Sequence, residues 1–477
     1  MDTPACSFVI LGVTGDLASR KLLPALYALH MDGALNPGTR IIGYARSAGD
    51  DASLRERLGE AVREYVSDFD EDSWAELAGR ITYLQGDYDD AEGYRQLALV
   101  LEQTGLANRV FYTATPPSTY AGIVRGLAEA GLAEPPADGS SRIVIEKPFG
   151  DDLESATALN ELLGQSFTEE QIYRIDHYLA KETAQNLAVL RFANALFEPT
   201  WNSRYVDHVQ ISMNEQIGVE DRGAFYEEAG VIRDVFQNHL LQLVALVAME
   251  PPARYDARSV RNEKVKVFEA MSCAGRDRAV LAQYVAGEGM PGYREEDGVD
   301  PGSRQATYAA VEFGIHNWRW EGVPFFVRSG KRLDAKATEI VLQYRLPPHL
   351  PFNLESPPSA DRLILRVSPD EGITVRFNVK QPGQDIRMHR HSLDFSYARQ
   401  FSIRNPDAYE TLLTDVMQGD ATLFMRADEV EAQWRIVEPL LDTNGPLVTY
   451  AAGSKGPVEA ADLLASQGRS WFESGDD

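Results

Sequence analysis

The segment FVILGVTGDLA, residues 8–18, decides the fold. Its apolar start reads as a β-strand, Phe8–Gly12, and its end opens an amphipathic helix, Leu17–Met31. Between them, Gly12, Val13, Thr14, Gly15, Asp16 and Leu17 form a strand-to-helix turn. Glycine allows a tight turn and a close approach of backbone to ligand. The helix N-terminus presents unpaired N–H groups to a pyrophosphate. Ala18, a small residue, lets helix and strand pack closely. A glycine pair is a weak signal by itself. Its place after a strand and before a helix makes these six residues candidates for a dinucleotide site.

The same rhythm continues outward. Arg40–Ala45, Ile81–Leu84, Arg109–Ala114 and Arg142–Glu146 read as strands, and Ser53–Tyr65, Glu92–Glu102 and Tyr120–Ala130 as helices. Repeated β-α units of this length predict a doubly wound parallel sheet of Rossmann type. After about residue 174 the pattern changes. A long helix is predicted over His177–Asn194 and another over Val231–Met249. Strands are predicted at His208–Ile217, Ala306–Ile315, Pro324–Val327, Glu339–Tyr344, Leu363–Val367 and Ile373–Val379. Strands in succession favour a mostly antiparallel sheet packed with helices. The expected division is a dinucleotide-binding domain over 1–173 and a second domain over 174–477, as 477 residues exceed one ordinary core.

Composition excludes several functions. With 46 basic and 72 acidic residues, the net charge is −26. Nucleic acid and anionic membranes both need a basic footprint, so neither is an expected partner. The longest apolar stretch, Leu240–Met249, is interrupted by Gln242 and is too short to span a bilayer. Only Cys6 and Cys273 are present, which suits a reducing compartment. The first residues lack a basic run and the apolar run Phe8–Leu11 is short, so a cytoplasmic location is expected. The histidines and cysteines show no metal-ligand spacing, so no metal is expected.

Particular residues narrow the chemistry. The second strand ends in Arg46-Ser47 where an NAD site would place a carboxylate. A guanidinium and a hydroxyl suit a 2′-phosphate, which favours NADP, although a solvated strand-end arginine reads the same way. In RIDHYLAKE, residues 174–182, His177 and Lys181 are four apart and would share one face near a helix start. That pairing suits a phosphate, though a surface histidine and a solvated lysine satisfy the spacing equally. Within His208–Ile217, Val209, Ile211, Met213 and Ile217 form an apolar face on which Glu215 also falls. A carboxylate there is either paired beside a polar cavity or turned outward at a bulge or strand end.

Taken with GVTGDLASRKLLPALYAL, GYARS, VIEKPFG, RFANALFEPTWN, FQNH, PFFVRSGKRL, PDEGI and DVMQGDATLF, RIDHYLAKE makes the chain closely resemble the glucose-6-phosphate dehydrogenase family. The segments occur in order over nearly the whole chain. Departures are small: Ala180 stands where glycine is usual, and Val13-Thr14 replaces Ala-Ser. The resemblance implies oxidation of D-glucose 6-phosphate at C1 to the 6-phosphoglucono-1,5-lactone, with hydride transfer to NADP, as the first step of the oxidative pentose phosphate pathway. By position in the matching motifs, His239 would be the general base and Asp176 its orienting carboxylate. His177, Tyr178 and Lys181 would bind the phosphate, and Lys147 would lie between substrate and cofactor, followed by a cis proline. Glu215, Asp234, Lys331 and Lys336 would contact the sugar phosphate, and Asp87 and Tyr88 the NADP. On an α-helix Asp234 and His239 would stand about 140° apart and could not project in parallel.

The family also implies a homodimer or a dimer of dimers. Two rival readings remain. One is a paralogue oxidising another hexose phosphate or an aldose; the other is a non-catalytic NADP-binding regulator. The retained His177–Lys181 pair opposes an unphosphorylated sugar, and the intact Asp176 and His239 oppose the regulator.

Overall fold

A computed structural model describes residues 3–473, except 274, 353, 355–357, 402, 403, 405 and 443; the last four residues of the expected second domain lie outside it. The chain divides into two compact units. The first comprises Met1–Ala180, Pro252–Arg261 and Asn405–Glu431; the second comprises Lys181–Pro251, Asn262–Arg404 and Ala432–Asp477.

In the first unit, β1 (Ser7–Leu11) is buried along its whole length, as a continuous apolar run requires of a central parallel strand. It pairs in parallel with β2 (Arg40–Ala45), which pairs with β3 (Ile81–Gln85). On its other side β1 pairs with β4 (Asn108–Thr113), followed by β5 (Ser140–Ile145) and β6 (Ile172–Ile175). Strand order therefore reverses beside β1, and the crevice at a reversal point is where open sheets of this kind hold ligands. Phe424–Met425 adds one antiparallel strand at the β6 edge. The helix Ala408–Gln418 packs its Leu412, Leu413 and Val416 into the same core as Phe8, Leu26 and Tyr112.

The second unit is built on a ten-stranded sheet. β7 (Val206–Asn214) lies inside it, between β11 (Phe325–Gly330) in parallel and β12 (Ala337–Tyr344) in antiparallel. The ladder continues from β12 through β13 (Arg362–Ser368), β14 (Gly372–Lys380) and β15 (Met388–Ser396), all antiparallel. From β11 it continues through β10 (Tyr308–Ile315) and β9 (Ala279–Val285), antiparallel, to Val448–Ala451, which runs parallel to β9. β8 (Met271–Cys273) pairs with β10 off this path. The expected mostly antiparallel sheet with helices is what forms. The helix Glu182–Phe192 packs on β13 and on the helix Leu241–Ala248. A cluster of Tyr226, Tyr284, Tyr293, Tyr308 and Tyr450 fills the core around β9 and β10.

Three local expectations need correction. The helix predicted from His177 begins only at Glu182. Asp176 accepts the amide of Tyr178 at 2.9 Å and, through its carbonyl, that of Leu179 at 3.1 Å, so residues 177–180 form turns instead. An aspartate side chain bonding two residues on is a standard competitor of helix. Second, β7 stops at Asn214, so Ile217 is 59% exposed instead of facing the core. Third, the long helix predicted over Val231–Met249 is divided. Gly230 adopts φ 57°, a π-helical stretch follows over Ile232–Leu240, and the α-helix proper is Leu241–Ala248.

Among the described residues, no helix is long and apolar enough to cross a membrane.

Candidate active site

The glycine turn of the first unit is shaped by close approach. Gly12 has φ 92°, and a Cβ there would lie 2.4 Å from the carbonyl oxygen of Ala114, just past β4. Only glycine fits that position. Gly12 donates to the Tyr44 carbonyl at 2.8 Å, and Gly15 donates to the Gly12 carbonyl at 2.8 Å, closing the turn. Val13 is fully buried, so its side chain belongs to the core and only its backbone is offered to a ligand. Arg57 donates to the Thr14 carbonyl at 2.5 Å, and exposed Asp16 pairs with Arg20 at 2.7 Å. Asp16 and Leu17 are already helical, and a π-helical stretch follows over Ala18–Leu22.

Arg46 and Ser47 are exposed just beyond β2. The Arg46 guanidinium lies 5.6 Å from the centre of the Tyr88 ring, a cation–π distance. Tyr88 itself is 6% exposed, and burial raises its phenol pKa above the ordinary value. Asp87 is exposed and turns with its carboxylate accepting from the Asp89 amide at 3.1 Å, while its carbonyl accepts from Tyr44 at 2.8 Å. Cation and aromatic face thus stand side by side where the second and third strands end. A 2′-phosphate and a stacked ring can both be served there. The glycine cradle and this pair fit a dinucleotide carrying an extra phosphate.

Lys147 follows β5 at its carboxyl end, and the Lys147–Pro148 peptide is cis. Asp176 is 1% exposed at the end of β6. The ring of His177 lies 4.9 Å from that of Tyr178 and stacks at 6.5 Å and 15° on Tyr409. Asp176, His177 and Tyr178 are therefore one turn, ordered by the aspartate.

In the second unit, Lys181 takes an extended conformation as the residue before the helix Glu182–Phe192. Glu215 sits immediately after β7, where its amide donates to the Gly330 carbonyl at 2.9 Å. Its carboxylate pairs with the ammonium of Lys331 at 2.5 Å. Lys331 is only 9% exposed, with its amide bonded to Thr307 at 3.1 Å and its carbonyl accepting from Tyr450 at 2.6 Å. Beneath its ammonium, 5.2 Å away, lies the ring of Tyr226. The Tyr226 phenol is held protonated, first by burial and then by the charges of Asp234 and Glu215. Lys336, by contrast, is exposed.

Asp234 and His239 both belong to the π-helical stretch. In such a helix the hydrogen bond runs from residue i to i+5, so residues five apart stack on one side. The side-chain amide of Asn238 also donates to the Arg233 carbonyl, five residues earlier, at 3.1 Å. The 140° separation predicted for an α-helix therefore does not apply. His239 is 3% exposed.

Sequence reasoning missed Tyr226, Tyr450 and Tyr409. Each reads in the sequence as an ordinary core aromatic, and only the fold shows a lysine, a carbonyl or a histidine against it. The π-repeat was equally hidden, because Ile232–Leu240 has the composition of an α-helix.

Comparison with known proteins adds to this geometry. Residues 9–186 match the model described as glucose-6-phosphate dehydrogenase, NAD binding domain, and residues 188–472 its C-terminal domain. Glucose-6-phosphate 1-dehydrogenase of Mycolicibacterium smegmatis is 44% identical over 485 residues, covering 98% of this chain and 97% of that protein. The Chlamydia muridarum protein of that name is 41% identical, with 98% and 97% covered. A solved glucose-6-phosphate dehydrogenase in complex with its substrate glucose 6-phosphate superimposes with TM-score 0.93 at 35% identity, covering 99% of this chain and 100% of the other. The chain belongs to the glucose-6-phosphate dehydrogenase family.

Proposed function

We propose that this protein oxidises D-glucose 6-phosphate at C1 to 6-phospho-D-glucono-1,5-lactone with NADP, the opening step of the oxidative pentose phosphate pathway. NADP supplies the hydride acceptor. In this reading it is held by residues of 1–173: the turn Gly12–Leu17, Arg46 and Ser47 at the 2′-phosphate, Asp87 and Tyr88, and Lys147. The sugar phosphate is held chiefly by residues of 174–477: His177, Tyr178 and Lys181 at the phosphate, Glu215, Asp234, Lys331 and Lys336 along the sugar, with Lys147 from the first domain.

The observation that carries the reading is the Glu215–Lys331 pair, nine-tenths buried on the lysine side, in the same unit as Asp234 and His239. A carboxylate and an ammonium fixed by backbone bonds offer both an acceptor and a donor to sugar hydroxyls. His239 takes the proton of the C1 hydroxyl as hydride leaves the same carbon; a histidine titrates in the range this needs. Asp176 holds the imidazole in the accepting tautomer and stabilises the imidazolium. Phosphate binding far from C1 is spent on positioning the reacting carbon.

The assay is direct. Glucose 6-phosphate and NADP should give reduced cofactor, with glucose, other hexose phosphates and NAD as comparisons. Turnover confined to another sugar would install the paralogue in its place, and binding without turnover the regulator. We also infer a cytoplasmic homodimer or homotetramer. The outer strand β15 supports assembly, with Leu393 65% exposed on it. Light scattering showing a monomer at micromolar concentration would exclude this.

A further inference from the structure

Glu146 directly follows β5 and directly precedes Lys147. Its carboxylate accepts the hydroxyl of Tyr112 at 2.5 Å and that of Tyr409 at 3.2 Å, both at the same oxygen. Its carbonyl accepts the hydroxyl of Tyr120 at 3.1 Å. Tyr112 is 0% exposed, Tyr120 1% and Tyr409 8%. The three tyrosines come from β4, the helix Tyr120–Glu129 and the helix Ala408–Gln418, so three separate parts of one unit converge on one residue.

Nothing in the sheet demands this. The ladder between β4 and β5 ends with Thr113 opposite Ile145, one residue earlier. Glu146 is half-buried, and a carboxylate drawn partly out of water works against its own solvation. Burial raises the Glu146 pKa; the bonds from Tyr112 and Tyr409 and the charge of Lys147 oppose the rise, and Asp176 adds to it. Glu146 is therefore electrostatically linked to two residues assigned to the site while contacting neither ligand in the assignment above.

We propose that Glu146 is a positioning residue, anchored chiefly by Tyr112, that fixes the backbone at the end of β5 so that Lys147 enters the site in one direction. This rests on Lys147 meeting substrate and cofactor as proposed above. Lysine is a flexible point charge, so its usefulness depends on where its stem begins. Misplacement of a positioning group by about 1 Å costs on the order of 10²-fold in rate. The Tyr112 bond is the shorter and the better buried of the two side-chain bonds, so it carries most of the orientation.

The test uses the full chain with glucose 6-phosphate and NADP, and variants Glu146→Ala, Glu146→Gln, Tyr112→Phe and Tyr409→Phe. Glu146→Ala should lower kcat at least ~10-fold with KM for the sugar phosphate changed less than ~3-fold. Glu146→Gln, whose amide oxygen still accepts a phenolic proton, should recover kcat to within ~3-fold of the parent. Tyr112→Phe should lower kcat more than Tyr409→Phe. An unchanged kcat in Glu146→Ala, a loss that merely tracks the folded fraction by circular dichroism, or a glutamine variant as impaired as alanine overturns the proposal. If Glu146→Ala does not accumulate as folded protein, Tyr112→Phe decides, and an unchanged kcat there overturns it. Failure of the parent chain to oxidise glucose 6-phosphate would instead sink the functional reading.

Discussion

Lys331 and Glu215 meet because β11 and β7 run parallel and end in register, Gly330 opposite Asn214. Each charged residue is the first after its strand, and the ammonium lies 2.5 Å from the carboxylate. Two adjacent strand ends thus deliver one ion pair to one place. The Glu215 side chain retains 34% exposure, so solvent screens the pair and its value to stability is modest. In the proposed function its value is geometric. Lys331→Met should raise KM for glucose 6-phosphate by ~10-fold or more, the size expected for losing one charged hydrogen bond. Steady-state kinetics check this; an unchanged KM removes Lys331 from the substrate site.

In the proposed function Arg46, beside Tyr88, sets cofactor choice. Arg46→Ala should weaken NADP binding by ~10–100-fold, from the loss of charge-assisted bonds to the 2′-phosphate, and change NAD binding by less than ~3-fold. Fluorescence titration with both cofactors measures it. Equal weakening of the two would mean that Arg46 contacts what they share.

Gly12→Ala should abolish NADP binding or prevent folding. The new Cβ would stand 2.4 Å from the Ala114 carbonyl in a backbone of φ 92°. Strain of this kind costs about 1–3 kcal/mol before the steric clash is added. A variant with parental melting temperature and NADP affinity would contradict the geometry of the turn.

Much of the first unit could be read from its sequence, because parallel strands between covering helices must be apolar runs with glycine turns. Arg40–Ala45 was predicted with its observed limits, and β1, β3, β4 and β5 to within two residues, whereas the edge strand Phe424–Met425 was not predicted. The second unit was less legible. β15 carries His389, Arg390, His391 and Asp394 and lies exposed, so no apolar alternation marks it. The turn at 177–180 was hidden because the choice between helix and turn was made by the hydrogen bonds that Asp176 accepts from the amides of Tyr178 and Leu179. Motif spacing named the candidate residues; it could not reveal that Asp234 and His239 share a π-repeat, or that Tyr226 and Tyr450 brace Lys331.

Stability should depend on pH through Asp415. Burial, and then the charge of Asp420, raise its pKa from the ordinary 3.8 to about 7. The folded state therefore holds a proton that the unfolded chain releases near its ordinary pKa. Stability falls as pH rises from about 4 to about 7 and stays lower above that. Asp415→Asn removes this dependence: it should melt several degrees above the parent near pH 8 and show no such gain below about pH 4. Thermal melts across this range test the sign; a gain confined to acid pH would reverse it.

The central claim is that His239 takes the proton from the C1 hydroxyl. Its most direct test is kcat of His239→Asn with glucose 6-phosphate and NADP, alongside the dissociation constant for the sugar phosphate. A positioned general base is worth ~10²–10⁴ in rate, so kcat should fall by that factor while the dissociation constant moves less than ~3-fold. Turnover within a few-fold of the parent, or a fall explained wholly by lost substrate binding, would contradict it.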